Sequence, residues 1–228
     1  MSANFFKKRM IAVALFATAT LFTLSCVFYS WSFYQMEVYT VSKSFYFLVV
    51  DEVHIQASTA EIQYDGGAGF LLDYDDKEYL ALSVYMKNGE AEQAKLAVAN
   101  KYTNAKIVRL SSGDLYIKHK AQKNQVHKFI GALESMYGNM QVLNGEITRL
   151  ANGATQSSSK RVLSHIADNL RYLDQENKED FPAFSSVCAQ TLQNLEEYTK
   201  DIVYAQNLRF LLCEWSVAYM RLTEEYSL

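Results

Sequence analysis

The chain has 228 residues and a formal net charge of −3; half of its residues are apolar, and it contains one proline and nine glycines. An average composition would give about eleven prolines in this length, so collagen-like repeats, proline-rich linkers and long disordered tails are excluded as main features. The length allows one or two domains. The sequence has no phosphate-binding loop, dinucleotide-binding glycine motif, zinc-protease motif or nucleophile elbow, so we expect no cofactor.

The charges are unevenly distributed along the chain. Three basic residues, Lys7, Lys8 and Arg9, stand near the start, and no acidic residue occurs before Glu37. Without those three, the chain has 19 basic and 25 acidic residues. The chain after Arg9 is therefore mildly acidic and lacks the basic surface that binds nucleic acid, so we expect no nucleic-acid partner.

An uncharged, apolar stretch of 25 residues covers residues 10–34. As a helix it would be ~37 Å long, against a hydrocarbon core of about 30 Å. Tyr29, Trp31 and Tyr34 cluster at its end, as is typical of a membrane interface. The sequence predicts a single-pass cell-membrane protein, with a cytoplasmic stub over residues 1–9, a transmembrane helix through the lipid bilayer, and an extracytoplasmic C-terminal region.

Two alternatives exist for this stretch. A cleaved signal peptide would have a shorter apolar core, but here the apolar run continues past any cleavage site. A lipoprotein signal ending at Cys26 would need a leucine earlier than Leu24 and polar residues after the cysteine. The transmembrane helix is therefore preferred, with Cys26 as a small apolar residue inside it.

Strands and helices alternate in the next part of the chain. Segments rich in aromatic and β-branched side chains, or with period-two alternation, predict strands. The first helix is predicted from a run without Gly or Pro that ends at Asp65-Gly66-Gly67, and the second from acidic residues in its first turn. Their order, β-α-β-β-α-β, predicts a ferredoxin-like domain over residues 43–110, a four-stranded antiparallel sheet with both helices on one face. The predicted strands are 44–50, 68–74, 79–86 and 105–110, and the predicted helices are 53–64 and 90–102.

The third predicted strand has the clearest alternation. Leu80, Leu82, Val84 and Met86 should share one face of the sheet. Since both helices cover one face, we expect the other to be open and to carry the intervening residues. Among these, Tyr79, Ser83 and Tyr85 have side chains that can contact a ligand.

Residues 114–228 are predicted to be helical throughout. Apolar residues recur at alternating steps of three and four from Val126 to Ile147, with Asn144 as a polar insert that would set helix register. Polar breaks at residues 152–159 and 174–180 divide the region into three amphipathic helices. They predict a three-helix bundle or a dimeric or trimeric coiled coil. The predicted fold class is α+β: a transmembrane helix, a ferredoxin-like domain and an all-α region.

Residues that carry chemistry are sparse, so we expect a protein that is not an enzyme. His119 and His127 have no acidic or thiol companion nearby, and no metal site is predicted. The acidic residues between Asp73 and Glu78 are interpreted as a solvated turn. Cys188 and Cys213 are interpreted as two buried thiols, with a disulfide as the alternative if the helix between them folds back.

The segment Tyr79–Met86, followed by Lys87-Asn-Gly-Glu-Ala-Glu-Gln-Ala94, resembles the sporulation-related repeat (SPOR) family of bacteria, whose third strand often begins with Tyr and precedes a helix with Glu-Ala repeats. The resemblance covers residues 43–110. In the first strand, Val49, Asp51 and Val53 stand where the family usually has a glutamine, a glycine and an aromatic residue.

The resemblance implies a domain that binds peptidoglycan glycan strands lacking stem peptides, at division or sporulation septa. It implies that Tyr79 and Tyr85 stack on sugars and that Ser83 donates a hydrogen bond. The function predicted from the sequence is thus a membrane-anchored cell-envelope protein that binds glycan. The alternative is a membrane-anchored scaffold whose helices in residues 114–228 bind another envelope or divisome protein, without glycan binding.

Overall fold

The computed structural model describes residues 36–51, 59–118 and 123–226, together with Ser25. These residues form an α+β fold. The strands are β1 (Met36–Tyr39), β2 (Ser44–Asp51), β3 (Phe70–Tyr74), β4 (Lys77–Tyr85), β5 (Lys106–Ser111) and β6 (Leu115–Lys118). The helices are α1 (Thr59–Tyr64), α2 (Asn88–Val98), α3 (Lys123–Ala151), α4 (Gln156–Asn177), α5 (Pro182–Thr199) and α6 (Ala205–Glu225).

The predicted four-stranded antiparallel sheet is confirmed. Its strand order is β3-β4-β2-β5, and each neighbouring pair is antiparallel, which is the arrangement that a ferredoxin-like β-α-β-β-α-β chain gives. Ile62 of α1 and Ala94 and Val98 of α2 pack on the same side, against Leu48 and its neighbours in the sheet. Residues 52–58, the first part of the predicted first helix, lie outside the described residues.

The N-terminal part of the predicted fold class needs correction. None of the described helices is both long enough and apolar enough to cross a membrane. The long helices α3 to α6 are amphipathic and carry polar or charged residues along their length. The transmembrane helix predicted over residues 10–34 is therefore not supported. Apart from Ser25, that segment and residues 1–9 lie outside the described residues.

The region after residue 114 differs from the prediction in two places. Residues 115–118 form β6, which pairs with β1 in a separate two-stranded sheet. The third predicted helix is divided at residues 200–204 into α5 and α6. Each of α3 to α6 packs against the next, and α6 returns to α3. The described helices therefore form a four-helix bundle rather than the predicted three-helix bundle or coiled coil.

The bundle lies against the sheet face that the sequence predicts to be open. Helix α6 packs on β4 and β3. The Phe70 ring of β3 meets the Phe210 ring of α6 at 5.5 Å between centroids, and the Phe45 ring of β2 meets the Tyr219 ring at 5.7 Å. One continuous apolar core contains residues of both the sheet and the bundle. The two regions of the sequence thus share a core.

Candidate binding cleft

A β-bulge in β4 decides where the three predicted site residues lie. In the pairing of β4 with β2, Leu48 faces Ser83 whereas Val49 faces Ala81, so Leu82 has no partner across the strands. An extra residue of this kind reverses the alternation of side chains that follow it. Ser83 therefore lies on the side of α1 and α2, as Leu82 does.

Tyr79 and Tyr85 consequently lie on opposite faces of the sheet, and the predicted single face with Tyr79, Ser83 and Tyr85 is not formed. Tyr79 is 5% exposed and belongs to the core shared with the bundle. Tyr85 packs against the smaller core under α1 and α2. The structure brings together Ser83 and Tyr85 but not Tyr79.

Ser83 and Tyr85 line a cleft of about 710 Å³ between the domain and the bundle. Its walls are formed by β4, α2 and α3, and Arg209 of α6 reaches it as well. Five of the thirteen residues that line the cleft are alanine, glycine or isoleucine, and six have neutral hydrogen-bonding side chains. These six are Ser83, Tyr85, Gln93, Asn144, Thr148 and Asn152.

Tyr85 provides the aromatic ring of the cleft. Burial raises the pKa of its phenol above the ordinary value, and a hydrogen bond with Ser83 and the charge of Arg209 act in the opposite direction. The phenol is therefore neutral at physiological pH, and its hydroxyl group can both donate and accept a hydrogen bond.

A hydrogen bond joins the two walls of the cleft. The Asn144 amide in α3 donates to a carboxylate oxygen of Glu90 in α2 at 3.2 Å. Glu90 lies in the first turn of α2, where a negative charge interacts favourably with the helix dipole. Its carboxylate also forms an ion pair with Lys87, at 3.6 Å between the nitrogen and oxygen atoms. Asn144, predicted to set helix register, is thus half-buried at the cleft instead.

Glycine makes room at the α3 wall. A Cβ atom built on Gly145, inside α3, would have no heavy atom within 4 Å apart from its own segment of the helix. A side chain at this position would extend into the open cleft, which Gly145 lines.

Arg209 connects α6 to the turn after α1. Its guanidinium group donates to the carbonyl oxygen of Gly66. Gly66 has a φ of +86°, and the amide of Gly67 donates to the carbonyl of Ile62 at 2.8 Å, as in a glycine-terminated helix end. The predicted helix end at Asp65-Gly66-Gly67 is therefore confirmed, and it forms the docking point for Arg209.

Sequence reasoning missed most of the cleft because its walls come from elements distant in sequence. Gln93 and Asn152 are ordinary exposed polar residues on or after helices. Only Arg209 could have been noticed in the sequence, because it is a single charged residue between Leu208 and Phe210 in an apolar stretch. No periodic pattern connects these positions with Ser83 and Tyr85.

Other candidate residues have structural roles. The turn after β3 contains Asp75 and Asp76 at positive φ, and among the described residues there is no group of three or more potential metal-binding side chains. Cys188 and Cys213 are buried, free thiols. Burial raises the pKa of Cys188 to about 12 and that of Cys213 further, so neither thiol is ionised at neutral pH. His119 lies outside the described residues, and His127 stands beside the Tyr39 ring.

Comparison of the chain with protein-family models, with curated protein sequences and with solved structures found no match.

Proposed function

We propose that this protein binds glycan strands without catalysing a reaction on them, and that the cleft between α2, α3 and β4 is its binding site. The observation that carries the proposal is the set of neutral polar side chains around Tyr85 in a cleft of about 710 Å³. This volume lies within the range of about 300–1,000 Å³ for small-molecule sites.

The lining of the cleft matches the chemistry of a sugar. A sugar hydroxyl group both donates and accepts hydrogen bonds, and amide side chains such as Gln93 and Asn152 offer both functions as well. A tyrosine such as Tyr85 adds a flat apolar ring with a polar end, which suits the mixed surface of a pyranose.

The covered face of the sheet is a poor alternative site. Phe45, Phe47, Val49, Ala81 and Val84 are buried there against the bundle. This apolar surface offers few hydrogen bonds to a glycan, and exposing it would require removal of α6 from the core. The cleft needs no such rearrangement.

The glycan class is suggested by the resemblance of Tyr79–Met86 and the following helix to the SPOR family, whose members bind peptidoglycan strands lacking stem peptides. The proposed site differs from the one that the resemblance implies. Of the residues implied to contact sugar, it keeps Ser83 and Tyr85 and leaves Tyr79 in the core.

A variant that fills the cleft tests the proposal. Gly145→Leu should fill the cleft, because a Cβ at this position meets no heavy atom within 4 Å outside its own segment of the helix. Gly131→Leu is a matched control, since Gly131 lies in the same helix, is equally free of neighbours and does not line the cleft. The full-length protein is kept in solution with non-ionic detergent, because residues 10–34 are apolar. It is mixed with amidase-treated or intact peptidoglycan sacculi, and the fraction of protein that binds is measured.

We expect the parent protein and Gly131→Leu to bind the amidase-treated sacculi and Gly145→Leu to lose at least about tenfold in affinity. A second variant, Gln93→Ala with Asn152→Ala, changes two exposed residues and should weaken binding while leaving thermal unfolding unchanged. Equal binding by Gly145→Leu would refute the cleft as the site. Absence of binding by the parent protein would refute glycan binding and favour the alternative function, in which the helical region binds a protein partner.

A further inference from the structure

Arg209 is the one charged side chain of the cleft without an opposite charge as partner among the described residues. It is half-buried, and its guanidinium group is anchored by the hydrogen bond to the Gly66 carbonyl oxygen. None of the ion pairs within the described ranges 36–51, 59–118 and 123–226 includes Arg209. A guanidinium group has five N–H donors, so the bond to Gly66 leaves others available.

The other charged group that lines the cleft is already engaged. Glu90 accepts the Asn144 hydrogen bond and pairs with Lys87. Arg209 lines the same cleft as Tyr85 and is half-buried there. A half-buried cation of this kind gains most from an anion that enters the same space.

We infer that the cleft recognises a carboxylate-bearing saccharide and that Arg209 binds its carboxylate. This inference rests on the proposed function and names the class of its ligand. The planar fork of an arginine side chain matches a carboxylate with two parallel hydrogen bonds. A singly charged carboxylate suits the cleft better than a doubly charged phosphate, because the carboxylate of Glu90 in the same lining repels additional negative charge.

The carboxylate can be removed without changing the sugars around it. Glycan strands from amidase-treated sacculi carry free lactyl carboxylates, and carbodiimide coupling to ethanolamine converts these into neutral amides. Both forms are first treated with hydrofluoric acid to remove phosphate-containing polymers, with an untreated sample kept for comparison. Binding of the full-length protein in non-ionic detergent is then measured for the parent, Arg209→Gln and Arg161→Gln. Arg161 is an exposed residue of α4 outside the cleft, so its variant has the same change in net charge.

We expect the parent and Arg161→Gln to bind the carboxylate form at least about tenfold more tightly than the amide form. Arg209→Gln should bind both forms equally, with the affinity of the parent for the amide form. A purely structural role of the bond to Gly66 would lower the unfolding temperature of Arg209→Gln but would leave the preference for the carboxylate form intact.

The remaining outcomes separate this inference from the proposed function. Equal binding of both forms by the parent, together with loss of binding in Gly145→Leu, would overturn the carboxylate inference and leave glycan binding in place. A preference that disappears after hydrofluoric acid treatment would overturn it in favour of a phosphate. Failure of the parent to bind either form would overturn both proposals.

Discussion

The two faces of the four-stranded sheet differ in what covers them. On one face, Phe45, Phe47 and Tyr79 are buried under a four-helix bundle that shares their core. On the other, two short helices cover Leu48, Leu80 and their neighbours, and a cleft lined by polar and apolar residues remains open at one end. The face under the bundle thus adds to the larger apolar core, whereas the face under the two short helices borders an open cleft.

The largest expected effect comes from truncation on the bundle face. Phe45 is fully buried, and its ring contacts the rings of Tyr137 and Tyr219 at 6.0 and 5.7 Å between centroids. Phe45→Ala should lower the free energy of unfolding by about 3–5 kcal/mol, because it removes apolar contacts and leaves a cavity. Urea denaturation measures this loss. Leu71→Ala is the control, since Leu71 is 51% exposed and should lose much less. A loss below that of Leu71→Ala would mean that α6 does not cover the sheet as described.

A smaller effect of opposite sign is expected at Tyr219. Its hydroxyl group is buried and has no hydrogen-bond partner among the described residues. Tyr219→Phe removes the unsatisfied group and keeps the ring, so we expect an increase of about 1 kcal/mol in the free energy of unfolding. The change in urea midpoint at constant slope measures it. A clear decrease would indicate that the hydroxyl group has a partner.

The same residue gives a pH dependence. Burial raises the pKa of Tyr219 well above its usual range, so the folded protein holds this proton more tightly than the unfolded chain. The contribution of the protonated phenol to stability is fully present below about pH 10, the ordinary pKa of tyrosine. It is lost as the pH rises from there through the higher pKa of the folded protein. Stability measured between about pH 9 and 11 should therefore fall less steeply in Tyr219→Phe than in the parent. Identical slopes would contradict burial of the phenol.

The smallest expected effect tests whether the cleft is open at Gly145. Gly145→Ala should raise the free energy of unfolding by about 0.5–1 kcal/mol, because alanine favours a helix and the new methyl group meets no heavy atom of another segment within 4 Å. The matched comparison is Gly69→Ala, where φ is +62° and the added Cβ would lie 2.6 Å from the Thr59 carbonyl oxygen. This variant should be destabilised. Thermal unfolding of both proteins checks the opposite signs, and destabilisation of Gly145→Ala would mean that the cleft is filled.

Much of the ferredoxin-like arrangement could be predicted from local patterns. Alternation identified β4, the glycines after Tyr64 identified the end of α1, and the turn at Asn88-Gly89 identified the start of α2 within a few residues. These features depend on neighbours in the sequence, which is why periodicity and turn chemistry reveal them. The break at Gly153 between α3 and α4 was visible for the same reason.

The cleft could not be predicted, because it depends on contacts between distant segments. The bulge at Leu82 has no marker such as glycine in the sequence, yet it moves Ser83 to the other face. The division between α5 and α6 at residues 200–204 contains neither glycine nor proline. The strand at residues 115–118 exists through pairing with β1, about eighty residues earlier in the chain.

Local sequence patterns are enough to predict the α+β class of the described residues, the order of strands and helices in the domain and the amphipathic character of the C-terminal helices. Local backbone preferences and the periodicity of apolar residues are sufficient for these features. Which face of the sheet is covered, where Ser83 and Tyr85 lie, and that Arg209 lines the same cleft are visible only in the folded protein. These features arise from packing between elements far apart in the chain, which no local pattern records.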